Sequence, residues 1–380
     1  MKKSLLIIVP NLQCGGQQRV AVNTAEIFSD DYDITFVVFD SRDAVYMPPC
    51  EVIDLAIPAA HGKLSKLKNA LHRAYALWKL KRDKHIDFAL SFGTTANLSN
   101  VLSGQSSKTI VNLRGFDSIS DGWINRFVLG HSDVIICCAN AMRNRLALIN
   151  PSFVEKAVCL YNPYDTERMR EQGNEPVTDY VFCHHTIVTH GRLEEVKNYP
   201  RLIKAFHLVR KALPDAQLLI IGEGSQRQKL ENLISLYNLG TSATLVGFRK
   251  NPFAYLAKSA LYVLSSYSEG FPNALVEGMT FVPVVAVDCK TGPREILSHD
   301  TFDHVSKGWE DVEYGVLVQP AEKREFCDRL TDDDRFLANA ILSILSDPAK
   351  ARNLQSKARL RAEFFSYETY RQNLMKIFEG

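Results

Sequence analysis

The stretch Ser265–Ile296 reads SSYSEGFPNALVEGMTFVPVVAVDCKTGPREI, and its pattern decides the fold. It follows an apolar run, Ala260–Leu264, and contains the turn-forming residues Glu269–Asn273. The pattern then predicts a short helix through Glu277 and an apolar strand at Val282–Val287. A strand, a turn, a helix and a second strand make up a βαβ unit of a parallel sheet.

Two carboxylates of this stretch, Glu269 and Glu277, are eight residues apart. The first falls in the turn after a strand, and the second on the helix that follows. In open α/β sheets ligands bind at this edge, where a helix N-terminus offers free N–H groups to a phosphate. Carboxylates repel phosphates but accept hydroxyl hydrogen bonds well, so the pair suits sugar or ribose hydroxyls. The alternative is that Glu269 caps the helix and Glu277 is solvated surface.

Length and composition favour a soluble protein of two domains. The chain has 380 residues, 46% hydrophobic and 23% charged, and a formal net charge of +2, which gives no sign of a nucleic-acid partner. Its eight cysteines show no CxxC pair or metal-ligand spacing, which favours buried, reduced thiols and no metal cofactor. No run reaches the ~18 apolar residues of a membrane span, so the sequence predicts a cytoplasmic protein.

The first half begins like a Rossmann domain. Strand Leu5–Pro10 leads into a loop with Gly15 and Gly16, and Arg19–Phe28 has helical periodicity. The loop is not GxGxxG, so it is either a place where the backbone approaches a ligand or simply a tight turn. Further strands are predicted at Ile34–Phe39, Phe88–Ser91, Thr109–Asn112 and Val134–Cys138.

A long basic helix is predicted between these strands, at Lys63–Lys84. Eight basic side chains against Asp83 alone give it a net charge of +7, and it also carries an apolar side that includes Trp78. This pattern suits an anionic membrane surface or a diphosphate-bearing acceptor. An ordinary helix packed on the core with a solvated basic face fits the pattern equally well.

A polar segment, Thr166–Tyr180, separates the halves and is interpreted as a linker. The predicted domains are residues 1–165, completed by roughly residues 362–380, and residues 181–361. The final helix is predicted at roughly Leu337–Leu345 and then over Ala349–Phe378. The second half repeats the alternation, with strands at Thr186–Thr189, Gln217–Ile221, Thr244–Phe248 and Leu261–Leu264. We therefore expect an α/β protein of two Rossmann-like domains facing across a cleft, with the C-terminal helix returning to the first domain.

The loops of the second half follow strands and can converge on one edge. Arg192 and Lys197 lie beside a helix N-terminus, where two cations would neutralise a diphosphate. Gly222-Glu223-Gly224 allows close backbone approach with a carboxylate between the glycines. This set suits a nucleoside diphosphate sugar better than ATP, which normally requires a P-loop and magnesium ligands.

The ordered motifs of the whole chain resemble the retaining GT-B glycosyltransferases of family 4, the group 1 glycosyltransferases. The segments that carry this resemblance are GGQQRV (Gly15–Val20), GRLEEVKN (Gly191–Asn198), IIGEGS (Ile220–Ser225), LVGF (Leu245–Phe248), SEGFPNALVE (Ser268–Glu277), VPVVAVD (Val282–Asp288) and GPREIL (Gly292–Leu297).

The resemblance implies a role for each matching residue. Glu269 would contact the transferred sugar and Glu277 the ribose, while Arg192 and Lys197 would hold the diphosphate and stabilise the leaving group without a metal ion. The implied catalytic residues are thus Arg192, Lys197 and Glu269. The implied nucleotide-sugar residues are Gly191, Gly222, Glu223, Gly224, Gly247, Phe248, Gly270, Phe271, Pro272, Asn273, Ala274, Leu275 and Glu277. The implied acceptor-side residues are Gly15, Gly16, Gln17, Arg19, Arg114 and Asp117.

The chain departs from the family pattern at three places. The segment MTFVPV (Met279–Val284) is one residue shorter than the common form and lacks its Gly. Pro272 stands where many members have Gly, which removes one N–H donor. The histidine that many members carry in the first domain has no counterpart, because Arg114 and Asp117 occupy that region.

The resemblance implies transfer of a hexose or N-acetylhexosamine, most simply from a UDP-sugar, to a lipid-linked glycan or polysaccharide acceptor. No cofactor is expected, and the basic helix Lys63–Lys84 would touch the inner face of the cell membrane. Two alternatives remain: a nucleotide-sugar epimerase or hydrolase on the same scaffold, and a catalytically silent sugar-nucleotide binding protein.

Overall fold

The computed structural model describes residues 2–13, 15–104, 106–115, 119, 121–298, 308–320 and 328–380. The chain forms two compact units. Unit 1 consists of Met1–Tyr164 and Tyr367–Gly380, and unit 2 of Asp165–Ser366.

Unit 1 is built on a parallel sheet of seven strands in the order β3-β2-β1-β4-β5-β6-β7. The central strands are almost wholly apolar because helices cover both faces of the sheet. The strands are β1 (Lys3–Asn11), β2 (Tyr32–Asp40), β3 (Val52–Asp54), β4 (Phe88–Phe92), β5 (Lys108–Leu113), β6 (Val134–Cys137) and β7 (Ala157–Cys159).

Among the residues of unit 1 that the structure describes, six helices connect these strands, and a seventh comes from the end of the chain. They are α1 (Gly16–Phe28), α2 (Lys63–Asp83), α3 (Thr94–Leu102), α4 (Trp123–His131), α5 (Asn140–Ile149), α6 (Ser152–Glu155) and α15 (Tyr367–Glu379). Phe28 and Phe378 bring α1 and α15 into the core on one face of the sheet. Leu77 and Ala96 bring α2 and α3 into the core on the other face.

Unit 2 repeats the arrangement, with the strand order β10-β9-β8-β11-β12-β14-β13. Every pairing is parallel except that of β13 with β14, which is antiparallel. The strands are β8 (Thr186–His190), β9 (Gln217–Ile221), β10 (Ala243–Gly247), β11 (Leu261–Leu264), β12 (Val284–Val287), β13 (Trp309–Val312) and β14 (Gly315–Val318).

The helices of unit 2 cover both faces of its sheet. They are α7 (Thr166–Gly173), α8 (Tyr199–Ala212), α9 (Arg227–Leu236), α10 (Phe253–Ala257), α11 (Asn273–Met279), α12 (Pro293–Ser298), α13 (Asp332–Leu345) and α14 (Pro348–Glu363), with a 3₁₀ turn at Glu195–Lys197. One core joins α8, α9 and α13 to the sheet through residues such as Phe206, Leu230 and Ile341. The prediction of two Rossmann-like α/β domains is confirmed.

The C-terminal helix belongs to unit 1, which confirms its predicted return. Arg371 pairs with Asp31 at 2.8 Å, and Phe378 stacks on Phe88 with ring centroids 4.6 Å apart. The prediction of one helix over Ala349–Phe378 is wrong, because α14 ends at Glu363 and α15 begins at Tyr367.

Two other segments differ from the sequence interpretation. The polar stretch 166–180 contains α7, whose first turn is capped by the Asp165 carboxylate accepting from the Arg168 N–H at 2.9 Å. The β13–β14 hairpin was not predicted, because Glu310, Asp311 and Glu313 interrupt the apolar pattern there.

Candidate active site

Both loops of the candidate site leave the point in unit 2 where the strand order reverses, between β8 and β11. Ligands of open α/β sheets bind at such switch points. The loop after β8 and the loop after β11 are joined by two hydrogen bonds. The Ser265 hydroxyl donates to the Lys197 carbonyl at 2.8 Å, and the Tyr267 N–H donates to the Val196 carbonyl at 2.8 Å.

The two loops also share an ion pair between Lys197 and Glu269. The Lys197 Nζ lies 2.7 Å from Glu269 Oε1, and the two side chains are 19% and 13% exposed. The Ser266 hydroxyl donates to the same carboxylate oxygen at 2.6 Å, and the Thr291 hydroxyl donates to the Glu269 carbonyl. The Glu269 carboxylate is therefore fixed in one orientation.

Glu269 does not cap α11, so the alternative that this residue is a helix cap is wrong. The residue before the first turn of α11 is Pro272, and no side chain accepts from that turn. Burial of Tyr199 in the neighbouring helix raises the pKa of its hydroxyl, and the Glu269 charge raises it further. Tyr199 therefore remains a neutral hydroxyl beside the ion pair.

Glu277 is buried on α11, so the alternative of a solvated side chain is also wrong. Its side chain is 4% exposed, and its Oε2 accepts from the His190 Nε2 at 2.5 Å. His190 ends β8, and its ring meets Tyr262 edge-on with centroids 5.5 Å apart. Its Nδ1 is buried and has no hydrogen-bond partner.

His190 is not among the site residues predicted from the sequence. A signal was present, because His190 is an ionisable residue at the end of a buried strand and directly precedes Gly191. A polar side chain at that register faces the edge where ligands of such sheets bind.

Glycines allow the loops after β8 and β9 to pack backbone against backbone. Gly222 has a φ of +147°, and a Cβ there would lie 1.9 Å from the Gly191 carbonyl oxygen. Gly224 has a φ of +159°, and its Cβ would lie 2.6 Å from the Leu193 carbonyl oxygen. A side chain at either position would force the loops apart. Gly191 and Gly247 also have positive φ values.

The remaining charged and aromatic residues of the predicted set lie nearer the solvent. Glu223 pairs with Arg227 on α9 at 2.7 Å, and Phe248 is 65% exposed. The Arg192 side chain is exposed and makes no hydrogen bond or ion pair with any residue that the structure describes. Arg192 is thus a cation whose donors are available to a ligand.

The EGFPN turn is held against the rest of unit 2. Phe271 is buried, and its ring meets Phe365 edge-on at 5.4 Å. A Cβ on Gly292 would lie 2.4 Å from the Pro272 Cδ, so the proline ring fills the space beside that glycine. Asn273 and Ala274 begin α11 and are half-buried, while Leu275 enters the core.

Most of the predicted acceptor-side residues lie near the equivalent edge of unit 1. Gly15 precedes α1 and Gly16 begins it, and the Gln17 amide donates to the Phe92 carbonyl at 3.2 Å. The Arg114 guanidinium lies over the Phe92 ring at 5.3 Å. Phe92 therefore links the loop after β1 with Arg114 after β5. Arg19 lies on α1, and Asp117 is outside the described residues.

The basic helix α2 is only partly as predicted. Ala74 and Leu77 are buried, but a second apolar stripe faces solvent, made of Leu64, Leu67, Leu71, Tyr75 and Trp78. Two of the basic residues, Arg73 and Lys81, are buried rather than on the solvated face. Lys81 donates to the Asn100 and Gly104 carbonyls, and burial lowers its pKa to about 8.

Neither a metal cluster nor a membrane-spanning helix is present among the described residues. Within the part of the chain that the structure describes, no group of three or more His, Cys, Asp or Glu side chains could hold a metal ion. Among the same residues, no helix combines the length and apolar character needed to cross a membrane.

The fold corresponds to that of GT-B glycosyltransferases. Residues 166–361, just over half of the chain, match the family model described as glycosyl transferases group 1. The chain therefore belongs to the group 1 glycosyltransferases, and the resemblance found in the sequence is confirmed.

Individual relatives extend this similarity to the full chain. An uncharacterised glycosyltransferase of Methanocaldococcus jannaschii is 28% identical over 349 residues, covering 82% of this chain and 83% of that protein. The N-acetylgalactosamine-N,N'-diacetylbacillosaminyl-diphospho-undecaprenol 4-alpha-N-acetylgalactosaminyltransferase of Campylobacter jejuni is 24% identical over 396 residues, covering 100% of both chains. The crystal structure of Anabaena HepE in complex with UDP has the same fold, with a TM-score of 0.74, 17% identity and 99% of each chain covered.

Proposed function

We propose that this glycosyltransferase moves a hexose or N-acetylhexosamine from a UDP-sugar to a lipid-linked glycan or polysaccharide acceptor, as a step of cell-surface glycan synthesis. The observation that carries this proposal is the pairing of Lys197 with Glu269 and of His190 with Glu277 at the switch point of unit 2. In this proposal, unit 2 binds the donor and unit 1 the acceptor.

The diphosphate of the donor is bound by Arg192 and Lys197. Arg192 offers a planar fork of donors that matches phosphate oxygens, and its side chain is exposed. Lys197 is held in place by Glu269 at 2.7 Å, so its position is set before the donor arrives. Charge develops on the leaving diphosphate as the sugar bond breaks, and positioned cations stabilise it most at that stage. The proposal needs no metal ion for this step.

The ribose is bound by Glu277. One carboxylate oxygen accepts from His190, which fixes the carboxylate plane. The carboxylate, held in this plane, accepts from a ribose hydroxyl. His190 acts here as a positioning residue, because it reaches the ligand only through Glu277.

The transferred sugar lies against Glu269 and the turn that follows it. The carboxylate binds a sugar hydroxyl, and the backbone of Gly270–Asn273 lines the sugar and phosphate. The backbone approach at Gly191, Gly222 and Gly224 leaves room for the nucleotide. The base lies along Gly247 and Phe248, with the neighbouring Glu223 held by Arg227. The remaining nucleotide-sugar positions, Phe271, Pro272, Ala274 and Leu275, support this turn. The reaction retains the anomeric configuration.

Two relatives support the choice of substrates. The printed name of the full-length Campylobacter jejuni relative describes a diphospho-undecaprenol acceptor, and the Anabaena structure contains UDP. On the acceptor side we place Gly15, Gly16, Gln17, Arg19, Arg114 and Asp117.

The exposed face of α2 docks on an anionic membrane surface, where a lipid-linked acceptor resides. Leu64 and Leu67 of its apolar stripe are 85% and 57% exposed, and Tyr75 and Trp78 stack at 5.8 Å. Lys66, Lys68, Lys79, Arg82 and Lys84 are exposed on the same helix. An apolar stripe flanked by cations is the pattern of a helix that lies in the interface of an anionic bilayer. The protein is then a peripheral one, on the cytoplasmic face of the membrane.

A thermal-shift screen against UDP, GDP and ADP, each with and without EDTA, tests the donor proposal. We expect UDP and UDP-sugars to raise the melting temperature equally in both conditions, because binding to the folded state stabilises it. Stabilisation that disappears with EDTA, or that favours another base, would contradict the proposed donor site.

A further inference from the structure

The strand edge of unit 1, one strand away from its switch point between β1 and β4, contains the cation Arg114, which pairs with no described carboxylate. Arg114 follows β5, and its Nη1 donates to the Asn162 side-chain oxygen. Its Nε and Nη2 are buried and have no hydrogen-bond partner. Among the residues that the structure describes, no carboxylate forms an ion pair with it. A guanidinium stays charged in proteins, so burying its donors without a partner is unfavourable.

The unpaired atoms of Arg114 lie on one edge of the guanidinium. Nε–H and the neighbouring Nη2–H point in parallel and form the fork that binds two oxygens of a phosphate or carboxylate. The rest of the group is occupied, because Phe92 covers one face at 5.3 Å and Asn162 accepts from Nη1. The buried Tyr370 hydroxyl also lies close to the guanidinium, whose charge opposes the rise in the Tyr370 pKa that burial causes. Nε and Nη2 are the donors that make no hydrogen bond with a described residue.

A second buried polar group on the same strand lacks partners. Asn112 is 0% exposed, and neither its amide nitrogen nor its amide oxygen makes a hydrogen bond. Only its main chain is engaged, because its carbonyl accepts from the Asn97 amide at 3.1 Å. Buried polar side chains in native proteins are almost always paired, so an unpaired amide two residues from an unpaired guanidinium marks a place where a polar ligand can bind.

The site lies beside the glycine loop that follows β1. The Gln17 amide donates to the carbonyl of Phe92, the same residue whose ring lies under Arg114. β4, which ends in Phe92, lies between β1 and β5 in the sheet. The edge therefore brings together the start of α1, a guanidinium fork and a buried amide.

We propose that Arg114 and Asn112 form an anion site in unit 1 that binds a phosphate group of a diphosphate-linked acceptor. This inference rests on the proposed function for the identity of the ligand, but the anion site itself does not depend on it. A neutral sugar would leave the guanidinium unbalanced, whereas a phosphate oxygen pair satisfies both unpaired donors. Free inorganic phosphates share this chemistry, so the test separates them from the acceptor.

The first experiment measures binding of inorganic pyrophosphate at saturating UDP. UDP fills the diphosphate site of unit 2, so any further rise in melting temperature reports a second anion site. We expect such a rise for the wild type and for Arg42→Met, which removes an exposed arginine of unit 1. We expect none for Arg114→Met, and a smaller rise for Arg114→Lys, which keeps the charge without the fork.

The stability of the ligand-free variant distinguishes a binding role from a structural one. If Arg114 awaits a ligand, Arg114→Met should match or exceed the wild type in melting temperature, because an apolar side chain replaces an unpaired charge. A clearly lower melting temperature would mean that the protein itself satisfies Arg114, and would overturn the proposal.

The second experiment compares a diphosphate-linked acceptor with the same glycan lacking the diphosphate. We expect Arg114→Met to raise the KM for the first roughly 10- to 100-fold, the effect of losing hydrogen bonds to a charged group, and to leave the KM for the second nearly unchanged. Equal effects on both acceptors would contradict the assignment. A protein that binds pyrophosphate through Arg114 but ignores both acceptors would retain the anion site and refute the proposed function instead.

Discussion

The two units have the same strand order around their switch points. They differ in whether the buried charged and polar side chains at the strand ends have partners. In unit 2 the buried carboxylates have partners, with Lys197 on Glu269 and His190 on Glu277. In unit 1 the Arg114 fork and the Asn112 amide are buried without partners. The same scaffold thus supports a site whose buried carboxylates have partners, in unit 2, and a site whose buried guanidinium has no counter-charge among the described residues, in unit 1.

This difference indicates how each unit meets its ligand. The paired groups of unit 2 are held in position beforehand, so in the proposed function a nucleotide sugar encounters fixed hydrogen-bond acceptors and a fixed cation. The unpaired groups of unit 1 are destabilising until an anion arrives, an exchange of stability for binding that functional sites commonly show. Each of the following changes is designed to disturb one side of this comparison.

The largest effect is expected from Lys197→Ala in unit 2. The variant removes a cation from the diphosphate and leaves the Glu269 carboxylate without its ion-pair partner. Turnover should fall by roughly 10²-fold or more, the scale of losing one preorganised charge contact. Steady-state kinetics measure this, with Lys211→Ala as a control for the loss of an exposed lysine in the same unit. Turnover equal to that of the control would refute the role.

A smaller effect is expected from Glu277→Ala, and it falls on binding. Losing a hydrogen bond to a charged group should weaken both UDP and UDP-sugar by roughly 10- to 100-fold, because both contain the ribose. Calorimetric titration with each ligand provides the measurement. Weaker binding of the UDP-sugar alone would place Glu277 on the sugar and not on the ribose.

His190 should have a modest effect that a conservative change rescues. His190→Leu removes the N–H group that donates a hydrogen bond to Glu277. The KM for the nucleotide sugar should therefore rise roughly fivefold, corresponding to about 1 kcal/mol, with little change in kcat. His190→Gln restores an N–H donor and should recover most of the loss. A fall in kcat at constant KM, or a failure of Gln to rescue, would argue against a positioning role.

The smallest effect per residue is expected on the exposed face of α2. Each lysine near an anionic bilayer contributes about 1 kcal/mol, so Lys68→Ala should lower partition onto phosphatidylserine vesicles about fivefold at low salt. Leu71→Glu should lower it further, because Leu71 is 56% exposed within the apolar stripe. Vesicle sedimentation at increasing salt measures both. Binding that is insensitive to salt would mean that α2 is an ordinary helix packed on the core with a solvated basic face.

Much of the fold was predictable because continuous apolar runs mark the strands of a doubly covered parallel sheet. β9 and β11 have the bounds that the pattern predicts. The hairpin of β13 and β14 was not predictable in this way, since its edge strand carries Glu310 and Asp311. The helix α7 was hidden by its polar composition, although Asp165 is a recognisable cap.

The sequence indicated which residues lie at this edge of unit 2 better than it indicated which of them pair with each other. Spacing placed Glu269 and Glu277 at one edge, but no local pattern joins Lys197 to a residue 72 positions away. His190 and Glu277 are 87 positions apart, so their contact follows only from the pairing of β8 with β11. The unbalanced charge of Arg114 depends on burial, which the sequence does not give.

The most direct test of the account is a transfer assay with a UDP-N-acetylhexosamine and a diphospho-undecaprenol-linked N-acetylhexosamine, followed by nuclear magnetic resonance of the product. The account predicts that UDP release depends on the acceptor and that the new linkage keeps the α configuration of the donor. A β linkage, or UDP release at the same rate without acceptor, would contradict it.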